Sequence, residues 1–198
     1  PNVFRGRVVD NNNNGIPFVN VTNVQDNVGT YTDARGYFNL TSPDSVLQVQ
    51  TRALGFNSNN IELRNNIPTN QVVLEEDRTL AAQILSTKRV NTERRSANPN
   101  FKLEGEPEPE DGWDNYDSYL ANNLNIPLDF KTKQAAPSGL VEVSFEVNRN
   151  GEPINFKVER SLCSKCDQEA IRLIKEGPKW KQKARKRRTT VAIPFENY

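Results

Sequence analysis

The chain contains no histidine and no methionine, and only two cysteines. The missing histidine removes the usual general base and every Ser–His or Cys–His pairing. A closed zinc site takes four nitrogen or sulfur ligands, and two thiols cannot supply them. We therefore expect no metal site, no cofactor and no catalytic residue. Long apolar runs are also missing: no stretch of about 18 apolar residues occurs, so these residues encode no membrane-spanning helix. No signal-peptide pattern follows Pro1. Hydrophobic residues make up 35% of the chain, a low share for packed domains and one that a polar linker would explain.

Charge is nearly balanced at +1 but unevenly placed. Residues 1–87 carry 6 basic and 8 acidic side chains, residues 88–111 carry 5 and 6, and residues 112–198 carry 15 and 11. The basic surplus lies in the last segment, where KWKQKARKRR (179–188) holds seven basic residues in ten. Such a run neutralises phosphates in nucleic-acid binders, but neither half of the chain reads as a nucleic-acid fold. A solvated loop is the simpler reading. An acidic partner or anionic headgroups come next, with Lys183, Arg185, Lys186, Arg187 and Arg188 as candidate steering charges. No nucleic-acid partner is expected. Trp180, turned back by Gly177 and Pro178, is expected in the core.

The first half breaks into short β-branched and aromatic runs: VFRGRVVD (3–10), IPFVNVTNV (16–24), TYTD (30–33), GYFNLT (36–41), VLQVQTRA (46–53), NIELR (60–64) and QVVLEE (71–76). Asn, Gly, Pro and Asp clusters separate them, a spacing that argues for an antiparallel β-sandwich. Alternation turns Val19 and Val21 inward, with Ile16 or Phe18, and Asn20 and Thr22 outward. Asp33 and Gly36 are placed to close a turn that lets Phe38 plug the sandwich. The order G-x-V-x-D-x-x-x-x-G-I-P-x-V-x-V (6–21), T-D-x-x-G-x-F-x-L (32–40) and L-G-F (54–56) resembles the carboxypeptidase regulatory-like family. That resemblance implies an all-β, seven-stranded, transthyretin-like sandwich over residues 1–87, common in Bacteroidetes envelope proteins, and implies no peptidase activity. The Asn-x-Thr sequons at Asn20 and Asn39 carry little weight in so Asn-rich a chain.

RTLAAQILSTK (78–88) reads as a last strand or a short helix, with strand preferred. Residues 88–111 have few apolar side chains and a Glu-Pro-Glu-Pro-Glu tract, which reads as an extended polar linker. Paired carboxylates at Glu106, Glu108 and Glu110 raise the thought of an enzyme, and their place in a spacer argues against it.

In the second half, Trp113, Tyr116, Leu120 and Leu124 form the stripe of an amphipathic helix that Pro127 stops. Val141, Val143, Phe145 and Val147 alternate on one strand face, and Ile154, Phe156 and Val158 return after a turn at 148–153. Cys166, Ala170, Leu173 and Ile174 line one side of a second helix, which Gly177 caps and Pro178 ends. Val191, Ile193 and Phe195 mark a final strand. The side chains at 139–154, Ser161, D-x-E-A-x-R (167–172), P-x-W (178–180), the basic loop and V-x-I-P-F (191–195) resemble the C-terminal domain of the TonB energy-transducer family. Residues 112–198 are thus expected to form an α+β domain of order α-β-β-α-β, with a three-stranded antiparallel sheet and two helices. Gly-Trp at 112–113 and Ile-Pro at 126–127 replace the usual tyrosine-proline segment, as in Bacteroidetes relatives.

C-x-x-C at Cys163 and Cys166 is read in that frame. Cys166 falls where an apolar residue begins the second helix, so inert thiols are favoured. A local disulfide in an oxidising periplasm is the main alternative. A redox couple would gain from the helix N-terminus but lacks its βαβ setting.

The resemblance implies a periplasmic adaptor that binds the box segment of outer-membrane TonB-dependent receptors by β-augmentation and supports energised transport. The edge strand would be Thr189, Thr190, Val191, Ala192, Ile193 and Phe195, with Pro194 turning its nitrogen away from the paired ladder. An inner-membrane anchor upstream of Pro1 would link it to the energising complex, the only membrane contact expected. A homodimer is left open. The alternative function is the periplasmic sensor part of a membrane-bound regulator or peptidase.

Overall fold

The computed structural model describes residues 1–77, 91, 105–128, 130, 138–182 and 187–196. It divides into two compact units, Pro1–Ile84 with Ala121–Asn123, and Leu85–Leu120 with Leu124–Tyr198. The run at 78–88 lies outside the described residues.

In the first unit each apolar run supplies one strand: β1 (Asn2–Val9), β2 (Asn20–Asn23), β3 (Gly29–Tyr31), β4 (Tyr37–Ser42), β5 (Val46–Arg52), β6 (Asn60–Arg64) and β7 (Asn70–Val73). They form a three-stranded sheet, β4-β1-β7, and a four-stranded sheet, β3-β2-β5-β6. β1 runs antiparallel to β4 and parallel to β7. Side chains alternate across the pleat, so Phe4, Val8, Val19, Val21, Val49 and Leu63 all face one core. Ile16 and Phe18 are both buried, where alternation called for one of them. The Asp33 carboxylate accepts the N–H groups of Arg35 at 2.9 Å and Tyr37 at 3.0 Å. Gly36 turns the chain at φ +90°, and a Cβ there would run into the Val8 carbonyl. The turn delivers Phe38 into the core, over Gly6, where a Cβ would strike its ring.

This unit also takes in Asn122 and Asn123, both buried. Each carboxamide donates to the Phe18 carbonyl at 3.1 Å, and the Asn122 oxygen accepts the Leu54 N–H at 2.8 Å. Phe18 has a positive φ of 54°, rare for a bulky residue.

The second unit has β8 (Glu108–Pro109), α1 (Trp113–Asn123, its last three residues counted with the first unit), β9 (Ser138–Val147), β10 (Pro153–Arg160), α2 (Ser164–Lys175), β11 (Trp180–Lys181) and β12 (Arg188–Glu196). The expected α-β-β-α-β order is present, with β10-β9-β12 as its antiparallel sheet. Val141, Val143, Phe145 and Val147 of β9 are buried, as are Cys166, Ala170, Leu173 and Ile174 of α2. Trp180 is a core residue, its ring centroid 4.8 Å from Tyr116, 5.0 Å from Phe145 and 5.5 Å from Trp113.

Two expectations change here. Glu108–Pro109 is not free spacer: it pairs with Trp180–Lys181, and the Glu110 N–H donates to the Lys179 carbonyl at 2.9 Å. Proline fixes an extended backbone that suits an edge strand as well as a linker, and Pro107 and Pro109 are buried. Gly177 is also not the cap of α2, which is Glu176. Its role is space: a Cβ at Gly177 would lie 2.7 Å from the Tyr119 ring, whose hydroxyl donates to the Leu173 carbonyl at 2.6 Å.

Candidate functional site

The three-stranded sheet has two outer strands, β10 and β12, and a partner strand can join only at one of them. β10 is unsuited to pairing. Asn155 sits at φ +55°, and the register to β9 shifts between Ile154 and Lys157. Ile154, Lys157, Glu159 and Arg160 are exposed, so the strand is bulged and charged, two devices that discourage edge pairing.

β12 is regular. Its register to β9 runs without a break from Arg188↔Glu146 to Glu196↔Ser138. The Val147 N–H donates to the Arg187 carbonyl at 2.9 Å. Bonded rungs in an antiparallel ladder alternate, so Thr189, Val191, Ile193 and Phe195 direct their backbone groups at β9. Thr190 and Ala192 direct theirs outward, and Pro194 turns its nitrogen the same way, as the sequence required. Of the six residues proposed for partner contact, only Thr190 and Ala192 therefore offer an outward N–H.

That edge is not open. Thr189, Val191, Ala192, Ile193 and Phe195 are each at most 2% exposed, Pro194 is buried too, and Thr190 is half-buried. At Ala192 the ladder position is taken. The Ala192 N–H donates to the Asn91 side-chain oxygen at 3.1 Å, and the Asn91 amide nitrogen donates to the Ala192 carbonyl at 2.9 Å. Asn91 is helical and 2% exposed, although it lies inside the stretch read from sequence as extended linker. Buried backbone groups must find partners, and a carboxamide supplies one donor and one acceptor side by side.

Of the basic loop, Lys183, Arg185 and Lys186 lie outside the described residues. Arg187 is exposed. Arg188 is anchored: its guanidinium donates twice to the Asn155 carbonyl, at 3.0 and 2.9 Å, and lies 3.9 Å from Glu146. It fastens β12 across the sheet to β10, which a purely steering charge would not do.

The cysteines form a disulfide at the start of α2, in place of the inert thiols that the sequence favoured. Cys163 is the extended N-cap, with its sulfur accepting the Cys166 N–H at 2.9 Å. This geometry sets the two Cα atoms 4.9 Å apart, inside the range that a disulfide spans. Cys166 is fully buried, as expected of the first apolar residue of the helix. Further along α2, the Arg172 guanidinium donates to Glu169 at 2.6 Å and to Glu176 at 2.7 Å, and its hydrogen bond to the Glu169 carboxylate above all holds the guanidinium pKa above its ordinary value. Glu169 also accepts the Asn125 N–H at 2.7 Å. The carboxylates considered for an enzyme fall on or beside β8: Glu106 precedes it, Glu108 lies in it, and Glu110 follows it, exposed.

Three participants were missed by sequence reasoning: Asn91, the β8–β11 pair and the packing role of Gly177. Asn91 has no local signal, because its partner is 101 residues away.

Residues 4–85 match the family model described as CarboxypepD_reg-like domain. Residues 131–196 match that described as Gram-negative bacterial TonB protein C-terminal. No curated protein matches the chain. The chain is built from a CarboxypepD_reg-like domain followed by the C-terminal domain of Gram-negative bacterial TonB proteins.

Proposed function

We propose that this chain is the periplasmic part of a TonB-like adaptor, anchored in the inner membrane, whose β12 accepts the extended box segment of an outer-membrane receptor and so supports energised transport. The observation that carries the reading is the outward backbone of β12 in a TonB C-terminal domain. On that side Thr190 and Ala192 each direct an N–H and a C=O, and Pro194 a C=O alone; in the free chain both Ala192 groups are bonded to the Asn91 carboxamide, which a partner strand would have to replace. Main-chain pairing of this kind gives affinity with little demand on sequence. It needs no catalytic residue, and we propose a non-enzymatic role. The regular register of β12 and the bulge in β10 both favour this edge.

Calorimetric titration of a synthetic receptor-box peptide into the full chain tests the reading. An extended peptide loses conformational entropy on docking, so a Kd of about 1 μM or weaker, roughly -8 kcal/mol at best, is expected. Two proline variants separate the faces of the strand. Val191→Pro removes an N–H that bonds β9, leaves a buried carbonyl without its donor, and should destabilise the unit by about 1–3 kcal/mol. Ala192→Pro removes an outward N–H, leaves the β9 ladder whole, and should abolish peptide binding in a folded chain. A folded Ala192→Pro chain that binds the peptide like wild type contradicts the reading.

A further inference from the structure

Resting on that reading, we propose that Asn91 is a built-in stand-in for the partner strand: its carboxamide holds the central rung of β12 in the free chain, and the partner binds by replacing it. In an antiparallel ladder a bonded residue pair exchanges two hydrogen bonds, each residue giving one N–H and one C=O. The Asn91 side chain makes this same two-bond exchange with Ala192, at 3.1 and 2.9 Å. Both residues are at most 2% exposed, so the bonds lie away from water.

Two consequences follow from where the bonds are. Thr190 and Pro194 flank Ala192 on the outward side, so Ala192 is the only position in the stretch 190–194 with both a flanking rung on each side and an N–H of its own. A partner segment cannot use its neighbours in register without meeting Asn91. The affinity measured for the intact chain is then the affinity of the bare edge reduced by the cost of displacing the carboxamide. Removing one hydrogen-bonding partner inside a protein leaves the other unsatisfied, so a chain without the Asn91 carboxamide leaves the Ala192 N–H and C=O short of a partner that an extended segment can supply.

The experiment uses Asn91→Ala in the full chain, with two readouts. The first is amide hydrogen exchange without peptide: Ala192 should exchange at least about tenfold faster in the variant, while Val191 and Ile193, bonded to β9, should hold their protection. The second is titration with the receptor-box peptide, which should bind about tenfold more tightly to the variant. In the wild-type chain the Asn91 side-chain amide resonances should move on peptide addition, an observation that needs no variant and so survives a folding defect in Asn91→Ala. Unchanged exchange at Ala192, equal or weaker peptide binding by a folded variant, or a static Asn91 amide at peptide saturation would each overturn the proposal. If neither protein binds the peptide, the adaptor reading fails, and the partner-exchange proposal falls with it even where Ala192 exchange shows that Asn91 caps the edge.

Discussion

Tyr119 shows how single residues fix the second unit. It is 1% exposed, its hydroxyl donates to the Leu173 carbonyl on α2, and its ring fills the space that a side chain at Gly177 would need. Tyr119→Phe keeps the ring and leaves a buried carbonyl one donor short, which should cost about 1–2 kcal/mol in a denaturant titration. A loss near zero would mean that water takes the hydroxyl's place. Residue roles were legible in the sequence when the partner was local. Asp33, Gly36 and Phe38 lie within six positions, and their turn was readable from the preferences of Asp and Gly. Phe38 over Gly6 and Tyr119 over Gly177 were not readable, because a glycine kept small by a distant ring looks like any turn glycine.

Among the elements, α2 was read most fully: its four buried positions follow the helical period, and the structure buries the same four. The extended segments were harder. Glu-Pro-Glu-Pro-Glu has the composition of a spacer, and only the burial of Pro107 and Pro109 beside the β8–β11 pair shows it to be part of a packed unit. β12 was placed correctly as a strand, and the outward nitrogen expected of Pro194 already implied by alternation that Thr190 and Ala192 share that side, a step not taken when all six residues were assigned to partner contact. The disulfide at the head of α2 gives the prediction at this scale. It closes a loop of sequence separation 3, and a loop that short contributes roughly 2 kcal/mol in the chain-entropy picture. Reduction should lower the stability of the second unit by that order and leave receptor-peptide affinity unchanged, since neither cysteine lies on β12. Oxidised and reduced samples compared by thermal melting and by titration decide it: lost binding at unchanged stability would revive a redox role.

For the whole molecule, the sequence divided the chain at a polar stretch, and the structure divides it into two compact units that draw Asn91 and residues 105–120 into the second. We propose that the units unfold separately. Calorimetry should then resolve two transitions, of which Tyr119→Phe and disulfide reduction move only one, and a single transition shifted as a whole would refute the division. Partner docking on β12 is tested most directly by a backbone and side-chain amide map of the full chain, recorded while a receptor-box peptide is added. Shifts should begin at Thr190 and Ala192, spread along β12, and include the Asn91 carboxamide as it gives up the Ala192 rung. Shifts confined to the sandwich strands or to β10, with residues 188–196 and Asn91 unmoved at saturating peptide, would contradict that docking and favour a sensor that reads its signal through the first unit.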